Sequence, residues 1–144
     1  MVGRSRWGIS PRESVRRECA RRGAEAVVAG CAALLLGRAA DAELVFALGG
    51  PPARWALTGG EGGPDYWLKV WAARGLLYAY DHSATPAVLG ALTDDHWRVR
   101  EMASKVCGRQ RIDAAVPYLE ALTRDSSARV QRAAERALIR ITAS

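Results

Sequence analysis

The chain contains the same pair of helices written twice between residues 84 and 142. The segment Val88–Asp95 (VLGALTDD) is echoed by Tyr118–Asp125 (YLEALTRD) at an offset of 30 residues. A second helical segment follows each copy, and there the offset is 31 residues, between Val99 and Val130. A fixed period with two helices per unit predicts a solenoid in which each hairpin buries its apolar side against its neighbours.

Two further helices are predicted ahead of the repeats, in residues 10–40. Ser10 has the place of an N-cap, Pro11 suits the first helical position, and Glu13 would complete a capping box. Residues 1–9 precede this start and are expected to form a flexible arm. The remaining helices, which include one from Tyr66 to about Tyr80, are predicted to pair as three hairpins within a single domain. These hairpins span residues 41–80, 84–109 and 113–142.

One segment breaks the helical pattern. Residues 49–64 hold six glycines and three prolines, which predicts a long loop inside the first hairpin. Loops of this length are often functional. Arg54 and Trp55 in its middle are therefore candidate contacts for a partner. The alternative is that Trp55 holds the loop against the body of the protein.

The sequence offers no catalytic, cofactor-binding or metal-binding constellation, and we therefore predict a protein that is not an enzyme. No phosphate-binding loop occurs, the three cysteines form no CxxC pair, and there are only two histidines. The triple Asp81–Ser83 follows a helix and is predicted to be a turn. The apolar run Ala24–Gly37 contains Glu25 and is too short to span a bilayer, so we expect a cytoplasmic protein that does not enter membranes.

Positive charge is concentrated at the two ends of the chain. Residues 1–22 carry a net charge of +5, residues 23–95 carry −4, and residues 96–144 carry +5. Almost all cations are arginines, which is typical of a high-GC bacterial gene; only Lys69 and Lys105 are lysines. The asymmetry favours a polyanionic partner. The alternative is a solvated surface rich in arginine.

A stripe of cations is predicted along the second helices of the hairpins. Counting from Val70, Val99 and Val130 as position 0, basic residues recur at −1, +6 and +10. These positions differ by about two and about three helical turns and therefore lie on one side, beside the apolar face. We call these seven residues the basic stripe and predict that they bind a partner, unless they pair with nearby carboxylates. The basic stripe comprises Lys69, Arg98, Arg129, Lys105, Arg136, Arg109 and Arg140.

The repeats resemble HEAT repeats, most closely the short HEAT-like units first noticed in phycobilisome lyases. In each copy, a helix of the form Pro-x-(x)-Leu leads through an aspartate to a second helix that opens with Val and continues with Ala. The matching segments are 116–134 and 86–103. The resemblance implies an all-α superhelix of about three hairpins with two N-terminal capping helices. It also implies that the aspartate caps the second helix and that the second helices line the concave surface.

The resemblance leaves three functions open. The first is a non-catalytic adaptor that binds a protein partner through the basic stripe, with Trp97 or Trp55 as aromatic anchors. The second is nucleic-acid binding by the basic stripe together with the arginine-rich helix 11–22, on a fold like that of the HEAT-like alkylpurine DNA glycosylases. Those enzymes place aromatic residues and an acid over the base, but no residue-by-residue match is found. The residue types are present here as Trp67, Trp71 and Trp97 with Asp65 or Asp94. The third is a lyase-like chaperone for a chromophore or cofactor attached to another protein.

Overall fold

A computed structural model describes residues 8–39, 41–53 and 66–143 of the chain. Within these ranges the protein is built from eight α-helices with no strand, which confirms the predicted all-α fold. Short 3-10 helices at Pro51–Ala53, His82–Ala84 and Asp113–Ala115 lie between them. No helix in the described ranges is long and apolar enough to cross a membrane. The α-helices are α1 (Pro11–Arg22), α2 (Ala24–Leu35), α3 (Ala42–Gly49), α4 (Tyr66–Gly75), α5 (Thr85–Ala91), α6 (Trp97–Arg109), α7 (Val116–Leu122) and α8 (Ala128–Thr142).

Helix α1 begins at the predicted cap. The backbone N–H of Glu13 donates to Ser10 Oγ at 3.1 Å, and Pro11 occupies the first turn. A capping box would direct the carboxylate of Glu13 to the backbone N–H of Ser10, but this carboxylate lies elsewhere. It forms ion pairs with the guanidinium groups of Arg16 and Arg17, at 3.6 and 3.5 Å. These arginines follow it at helical spacing, which brings their charges within reach of the carboxylate.

Helix α4 is shorter than the sequence predicts. The expected end was about Tyr80, whereas the helix ends at Gly75 and a turn follows. In that turn the N–H of Tyr78 donates to the carbonyl of Gly75 at 3.0 Å. Leu76 is completely buried, so the chain turns where this side chain enters the core. The period of the apolar residues continues through the turn, which is why the sequence did not reveal it.

In the turn inside each repeated hairpin, two side chains accept hydrogen bonds from backbone N–H groups. Asp94 Oδ2 accepts the N–H of His96 at 2.9 Å, and His96 Nδ1 accepts the N–H of Arg98 at 3.1 Å. The second copy repeats this arrangement with Asp125 and Ser127. The expectation that the aspartate itself caps the second helix is therefore wrong. The aspartate orders the turn, and the residue two positions later provides the N-cap.

The second helices pack side by side. Helix α4 contacts α6, and α6 contacts α8. Val99 and Val130, at position 0 of α6 and α8, are completely buried. At the other end of the molecule α4 also packs against α2 and α3, and α1 covers both of these helices. The second helices therefore form one continuous layer, and residues on its outer side share a surface.

Candidate interaction surface on the second helices

Two cations of the basic stripe are neutralised by carboxylates. Lys69 Nζ lies 2.8 Å from Asp94 Oδ1, across the boundary between the first and second hairpins. Arg129 Nε lies 2.9 Å from Glu101 Oε2, across the next boundary. Both acids are largely buried. These ion pairs link neighbouring repeats, so neither Lys69 nor Arg129 is a simple unpaired surface charge.

A third cation of the stripe is covered by aromatic rings. The guanidinium carbon of Arg98 lies 5.2 Å from the ring centroid of Trp67 and 4.6 Å from that of Trp97. Arg129 lies over Trp97 as well, at 5.4 Å. These distances are those of cation–π contacts. The result is a ladder of alternating indoles and guanidinium groups that crosses from α4 through α6 to α8.

Arg98 and Arg129 occupy equivalent positions, but Arg129 pairs with a carboxylate and Arg98 contacts indole rings. The residue at position +2 of the preceding second helix explains this difference. In α6 this position is Glu101, which pairs with Arg129. In α4 it is Ala72, which is completely buried, so Arg98 meets no carboxylate there. The neighbouring indoles take the place of the missing acid.

Five exposed cations line a groove between α6 and α8, and four of them form no ion pair in the described structure. One depression of about 250 Å³ is lined by Lys105, Arg132 and Arg136, together with Arg129 and Glu101. A second depression of about 150 Å³ shares Lys105 and Arg136 and ends at Arg140. We call this continuous feature the basic groove. The sequence analysis missed Arg132, at position +2 of α8, because the equivalent residue of α6 is Glu101 and not a cation. An arginine is hard to bury, so its presence at this position could have indicated an exposed edge.

Small residues form the floor of the basic groove. A Cβ added to Gly108 would lie 2.9 Å from the Cα of Ala137, so α6 and α8 approach as closely as two backbones allow. Ala133 and Ala137 complete this floor and are themselves buried. The close approach places the long side chain of Lys105 on one rim, facing the arginines of α8 on the other.

The charge of the basic groove is not compensated. Within the described ranges Lys105, Arg132, Arg136 and Arg140 form no ion pair, and the one carboxylate in the lining is Glu101, which pairs with Arg129. The apolar groove of about 640 Å³ between α1 and α3 differs in this respect. Its rim cation Arg21 forms ion pairs with Glu18 at 2.6 Å and Glu43 at 2.5 Å. Free positive charge is therefore concentrated on the last two hairpins.

The basic groove does not continue onto α4. Position +6 there is Leu76, which is buried and lies beyond the end of the helix. Arg109 is exposed but does not line the groove. The basic stripe is predicted along the second helices of three hairpins, whereas the groove lies between two of these helices, α6 and α8. Of the loop residues predicted to contact a partner, Arg54 and Trp55 lie outside the described residues.

The residues considered for a glycosylase-like site are occupied in other ways. Trp71 is buried in the core, and Trp97 is covered by two arginines. Burial raises the pKa of Asp94, but hydrogen bonds from Lys69 and from the N–H of His96 outweigh it, so the pKa lies below its ordinary value. Asp94 is therefore an ion-paired turn residue. Asp65 lies outside the described residues. The described ranges contain no cluster of potential metal ligands.

These features define an all-α helical-repeat protein with a basic groove on its second helices. A family model for HEAT repeats matches residues 54–139, more than half of the chain, and the chain belongs to this family. HEAT repeats commonly mediate protein–protein interactions, and the family is generally a non-catalytic scaffold. No curated protein and no solved structure matches the chain.

Proposed function

We propose that this protein is a non-catalytic interaction module that holds an acidic segment of a partner protein in the basic groove. The observation that carries the proposal is the set of four exposed cations along two packed helices that form no ion pair with any described residue. Like charges held close together repel one another and are relieved by an anionic ligand. The ion-paired cations elsewhere on the second helices lack this property.

The size of the basic groove favours a peptide. From Arg129 to Arg140 the rim follows α8 over about 16 Å, at about 1.5 Å per residue. An extended peptide covers this distance with about five residues. Acidic side chains on such a segment would alternate between the two rims, facing Lys105 on one side and the arginines of α8 on the other.

Nucleic acid is the second candidate, because phosphates would also be attracted by the unpaired cations of the basic groove. Proteins that bind single strands add aromatic platforms on which bases stack. Trp97 lies beside the groove residue Arg129, and its ring centroid already has Arg98 at 4.6 Å and Arg129 at 5.4 Å. This coverage favours the peptide over a single-stranded nucleic acid.

The test is fluorescence anisotropy with labelled ligands of equal charge. A polyglutamate peptide of about ten residues and oligonucleotides with about ten phosphates, single- and double-stranded, are titrated at about 50 and 200 mM salt. We expect the peptide to bind more tightly than either nucleic acid. Tighter binding of an oligonucleotide, with a steep loss at the higher salt, would favour the second candidate.

A matched pair of variants locates the binding surface. The variant K105Q/R136Q/R140Q removes three cations of the basic groove, and R12Q/R38Q/R124Q removes three exposed cations elsewhere. The described structure shows none of these six residues in an ion pair. We expect the groove variant to lose affinity at least about tenfold and the control variant to keep it. Equal losses would mean that net charge alone attracts the ligand.

A further inference from the structure

We infer that one end of the basic groove is a site for a phosphoryl group carried by the partner segment; this inference rests on the proposed function. The depression of about 250 Å³ is surrounded by four cations, and its other lining residues are Glu101 and Ala133. The depression toward Arg140, of about 150 Å³, is lined by three cations and otherwise by small residues. The end near Arg132 is therefore the larger of the two, and nearly all of its lining is charged. The four cations are Lys105, Arg129, Arg132 and Arg136.

The positive charge of this depression is larger than one carboxylate of a partner could neutralise. Glu101 neutralises Arg129 at 2.9 Å, which leaves Lys105, Arg132 and Arg136 facing the same small volume. A glutamate or aspartate of a partner brings one negative charge and two acceptor oxygens. A phosphorylated side chain brings between about −1.5 and −2 charges and three strong acceptor oxygens. The phosphate monoester therefore matches both the charge and the number of donors.

The donors are of the type that recognises phosphate. Arg132 and Arg136 are four residues apart on α8 and so lie on one face, about 6 Å apart along the helix axis. Each guanidinium offers a planar fork that can bind two phosphate oxygens at once. Lys105 adds a single charge from the α6 side of the groove.

Arg129 is held in place at the edge of the same depression. Its Nε donates to Glu101 at 2.9 Å, and its guanidinium lies 5.4 Å from the ring centroid of Trp97. Within the described residues its two terminal nitrogens make no hydrogen bond. A guanidinium fixed in this way loses little side-chain entropy when it donates to an incoming anion.

The test compares three peptides that differ at one position. Acidic peptides of about ten residues carry phosphoserine, serine or glutamate at their centre, and their binding to the full chain is measured by anisotropy. We expect the phosphoserine peptide to bind at least about tenfold more tightly than the serine peptide and several-fold more tightly than the glutamate peptide. Equal binding of the phosphoserine and glutamate peptides would overturn the inference.

Variants separate the two ends of the groove. R132Q/R136Q should reduce binding of the phosphoserine peptide to the level of the serine peptide, whereas R140Q should weaken all three peptides by a similar factor. R132K/R136K keeps the charge but removes the bidentate forks, and it should lose part of the preference. All of these side chains are exposed, and circular dichroism checks that each variant keeps its helices. A preference that survives in R132Q/R136Q would place the phosphate elsewhere.

The same titrations distinguish recognition of a phosphoryl group from recognition of an acidic segment. If all three peptides bind equally and the groove variants weaken them, the inference fails and the acidic-segment proposal stands. If none of the peptides binds, both fail. If an oligonucleotide of equal charge binds more tightly than the phosphoserine peptide, the phosphate recognised belongs to nucleic acid and the inference is overturned.

Discussion

At the scale of single residues, the surroundings of a cation decide what it does. Lys69 and Lys105 both belong to the stripe that the sequence predicts. Lys69 has a largely buried carboxylate at 2.8 Å, while Lys105 faces solvent and three arginines. The first stabilises the boundary between two hairpins; the second contributes to a surface with free charge. Residue type and helical position alone do not distinguish these roles.

Asp125 provides a test of the boundary ion pairs. Its two oxygens lie 2.9 and 3.2 Å from nitrogens of Arg100, and the N–H of Ser127 donates to it as well. Burial raises the pKa of Asp125, but Arg100 and Ser127 outweigh it and hold the pKa below its ordinary value. A carboxyl group with a lowered pKa in the folded state stabilises the protein above its ordinary titration range, and this contribution is lost as the pH falls through the folded-state pKa.

We therefore expect D125N to lower the free energy of unfolding by about 2–3 kcal/mol at neutral pH. The difference from the wild type should shrink as the pH falls below about 4, where Asp125 of the unfolded chain takes up a proton, and should be lost once the native carboxylate is protonated as well. Urea unfolding of D125N and the wild type at about pH 7, 5 and 3 measures this difference in the free energy of unfolding. Asp95, which is exposed and forms no ion pair in the described structure, provides the control D95N. If the loss of unfolding free energy in D125N is the same at every pH, it arises from packing of the amide and not from the lost ion pair.

At the scale of helices, Gly108 controls how closely α6 and α8 approach. An added Cβ would lie 2.9 Å from the Cα of Ala137, which is backbone and cannot rotate away. We expect G108A to destabilise the protein by about 1–3 kcal/mol, although alanine favours a helix. G90A is the matched control, since a Cβ at Gly90 in α5 meets nothing within 4 Å. It should stabilise by up to about 1 kcal/mol.

Both glycine variants are compared by urea unfolding monitored through helical circular dichroism. If G108A is as stable as G90A, the two helices move apart at no cost and the floor of the groove is not fixed. Ligand binding then provides a second measurement, because a wider groove would place Lys105 farther from the arginines of α8 and weaken binding of the acidic peptide.

The repeat register predicted the helices but not all of their ends or contacts. The offsets of 30 and 31 residues located the last four helices, because packing of Val99 and Val130 imposes that period. The end of α4 was missed because Leu76 continues the apolar pattern into a turn. Equivalent arginines, Arg98 and Arg129, were predicted to act alike. Their different partners depend on Ala72 and Glu101 in the neighbouring repeat, which a single-helix pattern does not consider.

At the scale of the whole molecule, the two basic ends of the chain are not equivalent. At the N-terminal end, α1 is rich in arginine, but Arg22 lies 2.5 Å from Glu18 and 2.6 Å from Asp41. Arg21 is paired as well, with Glu18 and Glu43. At the other end the cations of the basic groove have no such partners in the described structure. The charge pattern along the sequence predicted two basic regions, and the folded chain leaves the groove between α6 and α8 with uncompensated charge.

Uncompensated charge in the groove should lower the stability of the free protein. The four unpaired cations of the groove repel one another, so K105Q/R132Q/R136Q/R140Q should raise the free energy of unfolding by a few tenths to about 1 kcal/mol at low salt, and by less at about 1 M salt. K69Q removes an ion-paired cation and should lower the free energy of unfolding at both salt concentrations. Urea unfolding at the two salt concentrations measures both effects. A groove variant that is less stable than the wild type would show that these cations support the fold; a more stable variant that no longer binds acidic peptides would show that the groove exchanges stability for binding.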